Sequence, residues 1–329
     1  MEQKNKDRHI IITGGAGFIG SALVARLLAE GYRDITVVDD LGSGPKWKNL
    51  ASKGYLPIVP IRDFDDCPIL PEDTVVHLGA ESSTAAADVD QLLEVNTAAT
   101  VRLFEDCRLA GARFIYASSA ATYGDGSRGF EDSEDPEYLA SLRPLNPYAW
   151  SKSRADQYIF ADPAPEGVVG LKFFNVYGPN EYHKGSQSSV VPRFLDQWKR
   201  RGMVSLFASG RADIADGAQA RDFVWVEDVV DVILFFIENP GLSGLYNVGS
   251  GEAKTFVDVV SALASALGLP VIPIEYVEMP EGLGDSYQYY TKADLTKLRQ
   301  AGYTRPMTTL SEGVRRYVTE YLTKPDKYL

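Results

Sequence analysis

Tyr148 and Lys152 stand four residues apart in Tyr148-Ala149-Trp150-Ser151-Lys152, directly after Asn146-Pro147. Asn-Pro is a helix start, and residues spaced i, i+4 lie one above the other on a helix face. A free tyrosine, with a pKa of about 10, is a poor base at neutral pH. A lysine cation held beside it favours the phenolate, so that the phenol can take and return a proton. A surface helix can also carry a Tyr and a Lys at this spacing. Two further features point to the same chemistry.

The first is Thr13-Gly14-Gly15-Ala16-Gly17-Phe18-Ile19-Gly20, which follows the apolar run His9-Ile10-Ile11-Ile12 and opens an amphipathic stretch from Ser21 to Glu30. Strand, glycine turn and helix are the context of a dinucleotide fingerprint. Gly14 permits the tight turn, Gly17 lets backbone approach a pyrophosphate, and Gly20 lets the helix pack on the strand. The pyrophosphate would rest on the helix N-terminus. Asp39 ends the next strand, Ile35-Thr36-Val37-Val38, where a ribose-binding acid belongs. The second feature is Ser118-Ser119, at the end of Arg113-Phe114-Ile115-Tyr116-Ala117. Ligands of open parallel sheets bind outside the carboxyl ends of the strands. A Ser119 hydroxyl there would polarise a substrate oxygen beside the phenol, although a serine capping a turn is also common.

To position these groups the chain alternates strand and helix patterns through its first half, which predicts a Rossmann-type doubly wound parallel sheet. The expected strands are His9–Thr13, Ile35–Asp39, Pro57–Ile61, Thr74–Leu78, Arg113–Ser118 and Val168–Phe174, with helices over Asp88–Ala110 and Tyr148–Phe160. Leu78 leads into Gly79-Ala80-Glu81-Ser82-Ser83-Thr84, whose small residues let a cofactor lie against backbone. After Phe174 the texture changes. Asn175-Val176-Tyr177-Gly178-Pro179 ends a strand with turn chemistry, followed by the polar loop Asn180 to Ser186 and a helix from Ser189 to Arg200. Ala208 to Ala220 reads as a mobile loop and potential lid. A strand at Arg221–Val224, a helix at Val226–Glu238 and a strand at Gly244–Gly249 follow, then helices at Thr255–Leu267, Lys292–Ala301 and Leu310–Leu322. The expected division is a cofactor domain of residues 1–174 and 223–250 and a smaller α/β substrate domain of 175–222 and 251–329.

With 329 residues, 45% hydrophobic and 24% charged, the chain has the composition of a soluble globular protein. A net charge of −12 argues against nucleic-acid binding. Cys67 and Cys107 form no metal cluster or disulfide framework and suit a reducing compartment. The polar start, Met1 to Asp7, has no signal-peptide core, and no apolar run reaches the roughly 18 residues of a membrane span. A cytoplasmic protein with no membrane partner is expected.

Ser119, Tyr148 and Lys152 behind a glycine fingerprint resemble the extended, sugar-nucleotide-modifying branch of the short-chain dehydrogenase/reductase superfamily. Nearly the whole chain is similar to its ADP-L-glycero-D-manno-heptose 6-epimerase family. The pieces that carry this are Ala117-Ser118-Ser119-Ala120-Ala121-Thr122-Tyr123-Gly124, the stretch from Phe174 to Ser189 around His183-Lys184-Gly185-Ser186, and Ser286-Tyr287-Gln288 with Thr291-Lys292-Ala293-Asp294-Leu295. The middle piece is the discriminating one. The resemblance implies that Tyr148 and Lys184 are the acid/base residues and that Lys152 binds the cofactor. It implies a cofactor site of Phe18, Ile19, Asp39, Asp40, Lys46, Ser82, Asn96 and Val176, beside Gly14, Gly17, Gly20, Leu78, Gly79, Ala80 and Lys152. It implies a substrate site of Asn175, Ser186, Phe207, Arg221 and Tyr287, with Ser119. Where the family carries a histidine in the helix after the lysine loop, this chain has Arg193. Where it carries a second lysine near the adenosine ribose, this chain has Cys67. The substrate implied is an ADP-heptose, the activity inversion at its carbon 6 by transient oxidation and reduction, and the assembly a homopentamer.

The nearest alternative is a UDP-sugar 4-epimerase using the same Ser, Tyr and Lys. A 4,6-dehydratase places an acid pair immediately after the strand, where this chain has Ser119-Ala120-Ala121, and a non-catalytic dinucleotide sensor would not need the Ser, Tyr and Lys together. Asp39 and Asp40 favour NAD, because carboxylates repel a 2′-phosphate. Lys46, after Gly42-Ser43-Gly44, would offset that repulsion if it reaches a phosphate, and is equally readable as a solvated lysine. The resemblance favours NADP, with NAD the alternative. Arg221 offers a guanidinium fork for a substrate diphosphate, unless Asp222 or Asp216 pairs it.

Overall fold

A computed structural model describes residues 6–83, 86, 88–161, 165–280 and 282–329. Thr84 of the loop read above and the first five residues of the polar start lie outside them. Its strands are β1 (Ile10–Thr13), β2 (Ile35–Val38), β3 (Ile58–Val59), β4 (Thr74–His77), β5 (Arg113–Ser119), β6 (Val168–Phe173), β7 (Asn175–Tyr177), β8 (Val204–Phe207), β9 (Ala220–Trp225), β10 (Gly244–Val248), β11 (Ala253–Thr255) and β12 (Ile274–Val277).

Seven of them form one parallel sheet in the order β10-β6-β5-β4-β1-β2-β3. β1, β4 and β6 are buried along their whole length, which explains their near-continuous Ile/Val runs. β1 pairs β2 on one side and β4 on the other, with Thr13 beside both Val38 and His77. The strand order changes direction here, so a crevice opens at the carboxyl ends of β1 and β4. One core cluster packs the helices Phe18–Glu30 and Val226–Glu238 against this sheet; a second packs Ala99–Ala110 and Pro147–Ile159 on it through Phe104, Phe114 and Phe160.

At Phe174 the chain leaves the main sheet. Asn175–Tyr177, which reads as the turn-rich end of a strand, forms a strand of its own, β7, because β9 runs beside it in parallel with Val176 opposite Val224. β11 completes that sheet antiparallel to β9, and β8 pairs with β12. A third core cluster, around Trp225, Tyr177 and Tyr317, joins these strands to the helices Val190–Arg201, Phe256–Ala266 and Leu310–Arg316. The helix expected over Lys292–Ala301 is confined to Thr296–Gln300. The backbone before it is engaged elsewhere: Ala293 N–H donates to Asp222 at 3.0 Å, and Asp294 turns the chain by accepting from Thr296 N–H at 2.9 Å.

No described helix is long and apolar enough to cross a membrane. Cys67 and Cys107 are free thiols.

Candidate active site

The crevice at β1 and β4 is a cavity of about 1240 Å³. Gly14, at φ +67°, turns the chain where a Cβ would lie 2.6 Å from the Gly79 nitrogen; a Cβ on Gly20 would collide with the Gly14 carbonyl. Both glycines are thus required by close backbone approach. Gly17 caps the helix Phe18–Glu30 without a side chain, which leaves the first N–H groups facing the cavity wall formed with Phe18 and Ile19. Further along that wall are Asp39, Lys46, Leu78, Gly79, Ala80, Ser82 and Cys67. Asp39 is buried, and one carboxylate oxygen accepts from Ala16 N–H at 2.9 Å while the other meets the Lys46 ammonium at 2.5 Å. Lys46 also donates to the Asp40 carbonyl at 3.1 Å. The Asp40 side chain is exposed and turns away to accept from Ile61 N–H at 3.2 Å.

Ser119 ends β5, and its hydroxyl accepts from Ala121 N–H at 3.1 Å and lies beside the Tyr148 phenol. Asn146 caps the tyrosine's helix by accepting from Ala149 N–H at 2.9 Å, with Pro147 in the first turn. Lys152, one turn on, is 3% exposed and donates to the Ala117 carbonyl at 3.0 Å. The expectation that this lysine lowers the phenol's pKa is not met. Burial raises Tyr148 above its ordinary value, Ser119 pulls it down, and Glu81 pushes it further up. Lys152 is itself brought down to about 8, because burial outweighs the favourable charge of Asp156. Asp156 accepts from Tyr116 at 2.8 Å, from Ser118 at 2.7 Å and from the buried ammonium of Lys172 at 2.7 Å. The floor between β4 and β5 is His77, held by Thr13 at 2.6 Å and Thr100 at 3.0 Å. Burial, then Lys152, drive its pKa down to about 3, so it is neutral.

Asn96 lies behind the cavity wall. It sits in a π-helical turn, Leu93–Ala98, between two α-helical stretches. Its amide accepts from Glu81 N–H at 2.9 Å and donates to the Glu81 carbonyl and to Ser151 Oγ, both at 3.0 Å. It therefore clamps the 79–83 loop to the tyrosine's helix.

Lys184 reaches the same cavity from the 182–187 turn, with its ammonium 5.9 Å from the Phe18 ring centre, beside His183 and Gln187. Burial lowers its pKa, while Glu181 and then Glu81 oppose the fall. Glu81, in the cavity wall, thus acts electrostatically on both Tyr148 and Lys184. Beneath the turn Glu181 is buried, accepting from the Ser189 N–H and hydroxyl, and from Tyr317 at 2.9 Å. Ser186 and Asn175 are exposed; Val176 packs against the main core.

Arg221 is 6% exposed and stacks on Tyr287, 4.8 Å from the ring centre, with Phe256 at 6.0 Å. Among the described residues it is not paired with an acid as the alternative reading required: Asp222 accepts from Ser250, Gly251 and Ala293, and Asp216 accepts from Ser209. Burial lowers the guanidinium's pKa, with Tyr287 opposing. Gln288 donates to the Gly124 carbonyl at 2.6 Å and so moors Tyr287 to the turn after Ser119. Phe207 ends β8, and its carbonyl accepts from Gln219 at 3.3 Å. Arg193 is an exposed residue of the helix Val190–Arg201.

Reading the sequence missed His77, Glu81 and Asn49. His77 had a visible signal, a histidine at the carboxyl end of a strand beside the glycine turn. Glu81 and Asn49 had none, since each looks like an ordinary loop residue.

Residues 10–249 match the model of a family described as the NAD dependent epimerase/dehydratase family. The chain is 46% identical over 324 residues, 97% of its length and 99% of the relative's, to an ADP-L-glycero-D-manno-heptose-6-epimerase of Nitratidesulfovibrio vulgaris (strain DP4). Among solved structures it is similar to the ADP-L-glycero-D-manno-heptose-6-epimerase of Helicobacter pylori, at 28% identity and a TM-score of 0.79, covering 97% of this chain and 98% of that one. It is also similar to the UDP-glucose 4-epimerase of Thermus thermophilus in complex with NAD, at 29% identity and a TM-score of 0.74, covering 94% and 97%.

Proposed function

This chain belongs to the NAD dependent epimerase/dehydratase family, and on that premise we propose that it inverts carbon 6 of an ADP-heptose, converting the D-glycero to the L-glycero form. The observation that carries the reading is Lys184, a second partly buried amine in the wall of the dinucleotide cavity, on the stretch around His183-Lys184-Gly185-Ser186 that carries the resemblance to heptose epimerases. A UDP-sugar 4-epimerase shares Ser119, Tyr148 and Lys152 but has no need of this lysine.

The residues present fit a nicotinamide dinucleotide. Gly14 and Gly20 leave no room for side chains, the N-terminus after Gly17 is uncapped, and the cavity continues to Asp39 and Lys46. Gly14, Gly17, Phe18 and Ile19 would hold the pyrophosphate, and Asp39 and Lys46 the adenosine ribose. Bound there, such a cofactor would supply the acceptance and return of hydride at carbon 6. The form we infer is NADP, with NAD tolerated, because Lys46 neutralises Asp39 and adds a cation for a 2′-phosphate.

Tyr148 takes the carbon-6 hydroxyl proton, and Ser119 steadies both the phenol and the substrate oxygen. Carbon 6 lies outside the sugar ring, so rotation of the side arm presents the second face without turning the nucleotide. Lys184 carries the proton at that face. Burial lowers its pKa, so it gives up its proton more readily than an exposed lysine does. Arg221 and Tyr287 hold the substrate diphosphate, with Phe207, Asn175, Ser186 and Arg193 around the sugar and nucleotide. These come from residues 175–222 and 251–329, which we assign as the substrate-binding unit opposite a cofactor unit of 1–174 and 223–250. The reading includes a homopentamer, to be tested by light scattering, in the cytoplasm, where the free thiols of Cys67 and Cys107 suit a reducing compartment. Incubation with ADP- and UDP-sugars tests the function: ADP-heptose alone should be epimerised, without added reductant.

A further inference from the structure

Asn49 follows the Lys46 turn and is 1% exposed, yet its side-chain nitrogen serves three neighbours. It donates to the Ala16 carbonyl of the glycine turn at 2.9 Å and to the Asn180 carbonyl at 3.0 Å, and it lies 3.2 Å from His183 Nδ1. Its own oxygen is buried without a hydrogen-bond partner among the described residues. Burying an acceptor unpaired is unfavourable, so the amide's orientation is dictated by its donor side. Asn180, fully buried, has φ +75° and is the one non-glycine residue with positive φ among those described. Asparagine tolerates that conformation better than most residues, but it still has to be held. The holding contacts are Asn180 Nδ2 to Ser21 Oγ at 2.9 Å, in the helix after the glycine turn, and Leu329 N–H to Asn180 Oδ1 at 2.9 Å. The Asn180 carbonyl also lies 3.1 Å from His183 Nδ1.

We infer that Asn49 and Asn180 form a joint that positions Lys184, transmitting the placement of the glycine turn and the Lys46 loop to the 182–187 turn. The inference rests on the reading of Lys184 as a proton carrier and deepens it. Both residues are positioning residues: each acts through backbone that leads, within four residues of Asn180, to Lys184. The same joint ties the ribose end of the cavity to the lysine, so a cofactor seated on Asp39 and Lys46 braces the catalytic turn as well.

The test compares wild-type protein with Asn49→Ala and, in case that variant folds poorly, Asn49→Ser, which keeps a donor and should be intermediate. Two quantities are measured on the cofactor-loaded protein: turnover, and the pH midpoint of Lys184 acetylation by acetic anhydride, read by peptide mass spectrometry. Lys184 faces Glu181 and Glu81, which are unchanged in both variants. Release of the turn into water should move the midpoint up, towards the ordinary lysine value of about 10.4. Misplacement of the amine should lower turnover roughly 10- to 100-fold. A raised midpoint with unchanged turnover would uphold the joint and remove Lys184 from catalysis. An unchanged midpoint, whatever the turnover, would overturn the joint.

Discussion

The Lys46 ammonium sits 2.5 Å from Asp39 Oδ1, and the other oxygen of that carboxylate is held by the Ala16 N–H of the glycine turn. An acid that would otherwise repel a 2′-phosphate is thereby neutralised in place. Replacing Lys46 with Ala exposes the bare carboxylate. A charged hydrogen bond of this kind is worth about 1.5–3 kcal/mol, so NADP affinity should fall roughly 10- to 100-fold. NAD affinity should change much less. Titration of the two dinucleotides into the stripped protein checks this, and an equal loss for both would assign Lys46 to the loop alone.

Tyr148 and Lys184 are expected to fail differently from residues that only bind. Tyr148→Phe and Lys184→Met should each lower turnover by roughly 10²–10⁴-fold at saturating substrate. With a substrate analogue bearing an aldehyde at carbon 6, they should fail on opposite faces of that carbon. Loss by both variants on one epimer only would leave Lys184 without a separate proton-carrying role. A raised Michaelis constant with turnover intact would make Lys184 a phosphate ligand.

Much of this arrangement was legible in the chain itself. The parallel sheet followed from its apolar runs, and the glycine turn from spacing and context. Tyr148, Lys152 and Ser119 followed from residue types at a strand end and a capped helix. Asn175, Gly178 and Pro179 are turn residues and mark only the end of a strand; the partner strand β9, distant in sequence, makes Asn175–Tyr177 a strand of its own. The roles of Asn96 and Asn49 were equally hidden, since a buried asparagine is defined by the carbonyls around it, and those come from three separate segments. Nor could the chain show that Lys152 would turn to Ala117 while burial raised the Tyr148 phenol.

Arg221 is buried against Tyr287, and among the described residues no acid pairs with it, so its charge is available for an anion. Arg221→Lys keeps the charge but loses the planar fork and the stacking. The Michaelis constant for the nucleotide sugar should rise about tenfold or more, with turnover changed less. An unchanged constant would place the diphosphate elsewhere.

His77 gives the fold a pH dependence of predictable sign. Its pKa is lowered from 6.5 to about 3 in the native protein by burial and then by Lys152. Between those values the unfolded chain binds a proton that the folded chain does not. Stability is therefore complete above pH 6.5 and is lost as the pH falls towards 3, by about 1.4 kcal/mol per pH unit from this group. His77→Gln retains a polar bridge between Thr13 and Thr100 without the titration. Urea unfolding at pH 6 and pH 5 should show a shallower loss in the variant, by about one proton. Equal slopes would mean that His77 is protonated in the folded protein.

The central claim, inversion at carbon 6 by removal and return of the same hydrogen, is tested most directly in heavy water. Purified, cofactor-loaded protein is incubated with ADP-D-glycero-D-manno-heptose in D₂O, and the product is followed by proton NMR. The expected product is the L-glycero epimer, formed in many turnovers per protein, with no added NADPH and no deuterium at carbon 6. Deuterium at carbon 6, or a requirement for one reductant per product, would contradict the claim.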